Sequence, residues 1–99
     1  MRQHKFECQI CFEASDESFV TSALQRAFPS MQWEEGDSYW DKIRVWGEGP
    51  DAEIRIYRYE SPGPFALTIT IKAEEGADPE TAYLSLRDKV LHALSGRVC

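Results

Sequence analysis

Glu53-Ile54-Arg55-Ile56-Tyr57-Arg58-Tyr59-Glu60 and Phe65-Ala66-Leu67-Thr68-Ile69-Thr70-Ile71-Lys72 alternate apolar and polar residues on either side of Ser61-Pro62-Gly63-Pro64. A period of two marks a half-buried strand. A short connection rich in proline and glycine reverses the chain tightly, so the pair reads as an antiparallel hairpin. Toward the N-terminus, residues 39–46 form another such run, set off by Gly47-Glu48-Gly49-Pro50-Asp51. The three runs make an antiparallel meander.

Working outward, Phe6-Glu7-Cys8-Gln9-Ile10-Cys11-Phe12 places Phe6, Cys8, Ile10 and Phe12 on one side and predicts a first strand. Ser15-Asp16-Glu17 supplies an N-cap and early acidic residues. Phe19, Val20, Ala23, Leu24, Ala27 and Phe28 then recur at helical spacing until Pro29 stops the pattern. A second helix is predicted from Asp78-Pro79-Glu80 to about residue 95, because aspartate caps well and proline has no N–H to lose at the first helical position. Its inner stripe is Tyr83, Leu86, Val90 and Leu94, flanked by Leu84 and Leu91, with Gly96 as a left-handed stop. Residues 30–38 read as a loop: Met31 and Trp33 hint at a strand, but Glu34-Glu35-Gly36-Asp37-Ser38 reads as a polar turn. The expected fold is one α+β domain over residues 1–99, a two-layer arrangement of a four-stranded, mainly antiparallel sheet with two helices on one face, in the order β-α-β-β-β-α.

The balance of 17 acidic against 11 basic residues gives a net charge of −6. It disfavours delocalised binding to nucleic acid or to an anionic membrane. The charged start, Met1-Arg2-Gln3-His4-Lys5, leads into no apolar stretch of signal-peptide length, and no run suits a membrane span, so cytoplasmic residence is expected. Three cysteines, an odd number without framework spacing, read as reduced thiols with no structural disulfide.

The alternation also assigns faces. If Ile43, Val45, Ile54, Ile56, Leu67, Ile69 and Ile71 meet the helices, the far face carries Trp40, Lys42, Arg44, Trp46, Arg55, Tyr57 and Tyr59, with Thr68, Thr70 and Lys72. Trp, Tyr and Arg are the types enriched at binding hot spots. The competing reading makes them ordinary cross-strand neighbours, or rings buried under residues 47–51 or 31–38. The last five predicted elements, α-β-β-β-α, run in an order similar to that of double-stranded RNA-binding domains. The second helix opens on Asp78-Pro79-Glu80-Thr81 where those domains carry lysines, so the similarity is one of topology and implies no RNA binding.

Cys8-Gln9-Ile10-Cys11 has C-x-x-C spacing, with His4, His92 and Cys99 elsewhere. On a strand, residues three apart point to opposite faces, so Cys8 is expected inside and Cys11 outside, which does not make a metal site. The acidic loops lack calcium-loop spacing, and Gly47-Glu48-Gly49-Pro50 is too short and acidic to cradle phosphate. No catalytic residue, metal or cofactor is assigned. The function expected is that of a non-catalytic protein-binding domain, inhibitor- or immunity-like in charge and size, acting through the open sheet face or the acidic loops. The alternatives are a homodimer formed through that face, with a structural or regulatory role, and a small enzyme of unrecognised mechanism.

Overall fold

The computed structural model describes residues 2–13, 17–36, 43–58, 63–74 and 76–99. The elements are β1 (Arg2–Cys11), α1 (Glu17–Ala27), β2 (Gln32–Glu35), β3 (Ile43–Glu48), β4 (Ala52–Arg58), β5 (Phe65–Ala73), α2 (Pro79–Leu94) and β6 (Arg97–Val98). The class is α+β as expected, but the sheet has six strands rather than four, in the spatial order β2-β3-β4-β5-β1-β6, and every pairing is antiparallel.

The two extra strands come from contacts distant in sequence. β2 lies where a loop was expected. Its register sets Trp33 opposite Gly47, and a Cβ on Gly47 would stand 2.7 Å from three Trp33 ring carbons. The absent side chain therefore lets the indole lie across the strand. The indole also tilts against Phe28 at 5.8 Å and donates from Nε1 to the Phe28 carbonyl oxygen at 3.4 Å. These contacts hold a segment whose Glu34-Glu35 has little strand preference of its own. β6 follows the end of α2, where Ser95, not Gly96, takes the left-handed conformation (φ 53°). Gly96 is required for a different reason. Its Cβ would meet the Cys11 carbonyl oxygen at 3.0 Å and Phe12 Cβ at 3.1 Å, so only glycine lets the chain return this close to β1.

The cap of α2 is as the sequence predicts. The Asp78 carboxylate accepts from the Thr81 hydroxyl at 2.6 Å and from its N–H at 3.3 Å. These bonds hold the Asp78 pKa below its ordinary value. A depressed folded-state pKa stabilises the fold above the ordinary carboxylate range, and the contribution is lost as pH falls through the depressed value. The N-cap predicted for α1, at Ser15-Asp16, lies outside the described residues.

Both helices cover the same face. Val20, Leu24 and Phe28 of the first helical segment and Tyr83, Val90 and Leu94 of the second share one core cluster with Ile10, Val45, Ile54, Ile56, Leu67, Ile69 and Ile71. The aliphatic set assigned inward by alternation is thus the buried set for every member whose side chain is described. Phe6 is half-buried and stacks on Tyr83 at 4.6 Å. Burial and then the adjacent Cys8 thiol push the Tyr83 hydroxyl pKa above its ordinary value.

Val90 is fully buried, whereas Arg87 rests 5.9 Å from the Tyr83 ring and bonds its neighbour Asp88. Val90→Asp is predicted to unfold or severely destabilise the chain because its carboxylate gains no partner in the core. Arg87→Asp is predicted to cost far less. Similar melting temperatures for the two variants would contradict this placement of α2. Gly47→Ala is predicted to lower stability by about 1–3 kcal/mol because Trp33 must shift. Gly49→Ala, whose Cβ would meet mainly the flexible Met31 side chain, should cost less in the same denaturant titration.

Candidate functional site

The sheet face away from the helices is built from alternate residues of neighbouring strands. Trp46 on β3 stands opposite Arg55 on β4, which stands opposite Thr68 on β5 and, beyond it, Glu7 on β1. The adjacent row runs Arg44, Tyr57, Ala66 and Gln9. On the other side, Glu48, Glu53, Thr70 and Lys5 line up. Four of the seven residues assigned to this face, Arg44, Trp46, Arg55 and Tyr57, are thereby brought together. Trp40, Lys42 and Tyr59 lie outside the described residues.

These side chains border an open depression of about 720 Å³. Its lining adds Gln3, Lys5, Glu53, Thr68 and Thr70. Alternation already assigns Thr68 and Thr70 to this face; Gln3, Lys5 and Glu53 are additions the sequence reading did not single out. Lys5 and Gln3 are implied by the alternation that turns Phe6 and Cys8 inward, but they join the site only because β1 crosses over to pair with β5. Thr68 is only 6% exposed although no described helix covers its face, and described side chains of the face itself lie over it. Tyr57 shows one way this happens: opposite the small Ala66, it reaches over β5 to donate from its hydroxyl to Glu7 Oε1 at 3.4 Å, a long hydrogen bond.

Neither segment considered as a cover from sequence overlies this face where it is described. Residues 49–51 form a tight connection in which Gly49 N–H donates to the Ala52 carbonyl and Lys72 N–H to that of Asp51. The 31–36 segment runs beside β3 as β2, with Trp33 turned toward Phe28 on the helix side. Trp46 and Tyr57 are half-buried, while Arg44 and Arg55 are exposed.

Charges of both signs meet on this face: Glu34 stands opposite Trp46, Glu48 stands opposite Glu53, and Glu7 accepts from Tyr57. Among the described residues, Lys5, Arg44, Arg55 and Glu53 are the charged side chains that line the depression itself, and Glu53 forms an ion pair with Arg55.

The cysteine chemistry differs from expectation. Cys11 and Cys99 form a disulfide, with Cα atoms 5.5 Å apart, correcting the reading of three reduced thiols. Because β6 runs back along β1 with Arg97 opposite Cys11 and Cys99 donating its N–H to Gln9, Cys99 becomes a diagonal neighbour of Cys11 on one face. Both sulfurs are thus removed from metal ligation, and Cys8 stays a free, half-buried thiol. Among the described residues, no group of three or more His, Cys, Asp or Glu side chains could hold a metal ion. No described helix is long and apolar enough to cross a membrane.

Native alkylation without reductant is predicted to modify Cys8 alone, and slowly, with an intact mass two hydrogens below that of the reduced chain. Rapid labelling of Cys11 and Cys99 would contradict the bond. Closing a loop between residues 88 apart in sequence should stabilise the fold by about 2–5 kcal/mol. The Cys11→Ser/Cys99→Ser pair is predicted to lose that amount in denaturant unfolding.

No family model, curated protein or solved structure matches this chain, so the functional reading rests on the geometry above.

Proposed function

We propose that this protein is a non-catalytic binding domain whose helix-free sheet face engages another protein molecule. The observation that carries the reading is the open depression of about 720 Å³, in which Trp46 and Tyr57 stand among Lys5, Arg44 and Arg55 on strands fixed by the core beneath them. Rings held on strands lose little conformational freedom when a partner covers them, and aromatic and arginine side chains dominate the energetics of many interfaces. The overall charge of −6 favours a protein partner over nucleic acid, since a phosphate backbone would be repelled by most of the surface. The Cys11–Cys99 bond favours an oxidising compartment as the setting. A cytoplasmic setting requires that bond to be reduced.

The Trp46→Ser/Tyr57→Ser variant is predicted to weaken association by more than about 2 kcal/mol while the monomer stays folded. The measurement is affinity capture with nuclease-treated extract beside sedimentation velocity, using Arg87→Asp on the helix layer as the control. A retained protein, or a self-associated species, that is lost in the double variant but kept in the control supports the reading. An unchanged captured set contradicts it. So does a folding loss of several kcal/mol in the variant, the scale of large-to-small changes in a core.

A further inference from the structure

We propose that the uncovered edge of β1 receives an extended acidic segment of another protein as an added strand, a second surface distinct from the sheet face. β1 pairs with β5 from Arg2 to Ile10 along one side, but on its other side β6 pairs only with Ile10 and Cys11. Cys99 N–H then donates to the Gln9 carbonyl at 3.1 Å. In an antiparallel strand the N–H and C=O of one residue point to the same side, and the side alternates along the chain. The direction of the Gln9 carbonyl therefore turns the backbone groups of Gln3, Lys5 and Glu7 outward, and no strand among the described residues faces them. A row of outward donors and acceptors is a template for strand addition.

Charge decides the occupant. The chain carries −6 overall, yet Arg2, His4 and Lys5 precede the first acidic residue, Glu7. A second copy fits poorly. The antiparallel register that pairs all of residues 2–8 sets Lys5 opposite the Lys5 of the second copy, and like charges directly opposite are destabilising. Shifting to bring Lys5 opposite Glu7 drives the second copy's Gln3 into the place beside Gln9 that Cys99 fills. The opposite shift shortens the pairing and leaves the two lysines as diagonal neighbours. A different strand with aspartate or glutamate opposite Lys5 and an uncharged residue opposite Glu7 meets none of these obstacles. By alternation its intervening side chains lie on the helix side next to half-buried Phe6 and Cys8, where apolar residues fit.

The test is amide hydrogen exchange, followed by NMR on the full oxidised chain, with an acetylated and amidated octapeptide of alternating valine and aspartate in which threonine replaces the aspartate that would fall opposite Glu7. The amides of Gln3, Lys5 and Glu7 are expected to exchange quickly in the free chain and about tenfold more slowly with this peptide. A lysine-for-aspartate peptide, and one N-methylated on alternate backbone amides, should give no protection. Lys5→Glu should weaken binding about tenfold with an unchanged melting temperature. Lys5→Pro removes an outward N–H and no bond to β5, and should abolish binding; should it unfold, Lys5→Glu and the N-methylated peptide still decide. Protection of the three amides in the free chain overturns the proposal, as does equal binding of the lysine or N-methylated peptide. Absence of binding by the aspartate peptide, or perturbation confined to Trp46 and Tyr57, overturns it as well.

Discussion

The nine-residue ladder between β1 and β5, from Arg2 opposite Ala73 to Ile10 opposite Phe65, is the constraint from which the other features follow. It joins segments more than fifty residues apart, a costly loop closure that only burial at both strands offsets. Phe6, Cys8 and Ile10 reach the core from one strand, and Leu67, Ile69 and Ile71 reach it from the other. With β1 placed beside β5, the connection through α1 must recross the sheet to reach β2, and α2 packs over β5 and β1, so both helices lie on one layer. The same ladder brings Lys5 and Gln3 to the depression on the far face and leaves the outer edge of β1 open up to Gln9.

How much of this was legible depends on whether a signal is local. Alternation in residues 43–58 and 65–73 separates Val45, Ile54, Ile56, Leu67 and Ile69 from Arg44, Trp46, Arg55 and Tyr57 because side-chain direction in a strand is a property of two adjacent residues. Asp78-Pro79 marks the start of α2 for a similarly local reason. β2 was not legible, since Gln32-Trp33-Glu34-Glu35 becomes a strand through pairing with β3 and through Trp33 lying over Gly47. β6 and the Cys11–Cys99 bond were hidden together. Two residues carry no periodicity, and the cysteines meet only after Gly96 brings the C-terminus against β1. Gly96 was noticed as a helix stop, but Ser95 takes that role, and the glycine serves close approach instead.

The candidate face was half visible for the same reason. Arg44, Trp46, Arg55 and Tyr57 could be grouped because they belong to two strands joined by a short connection. Adding Lys5 and Gln3 required the β1 to β5 pairing, which nothing local specifies. That addition places a third cation beside Arg44 and Arg55 in the depression.

The central claim is that the sheet face opposite the helices is accessible in the free protein, with its rings presented to solvent. Hydroxyl-radical footprinting of the isolated, oxidised chain tests it most directly, with Tyr83 of the core as the internal reference. The account predicts that Trp46 and Tyr57 are oxidised about tenfold faster than Tyr83. Oxidation of Trp46 and Tyr57 as slow as that of Tyr83 would mean that the face is covered, and would contradict the account.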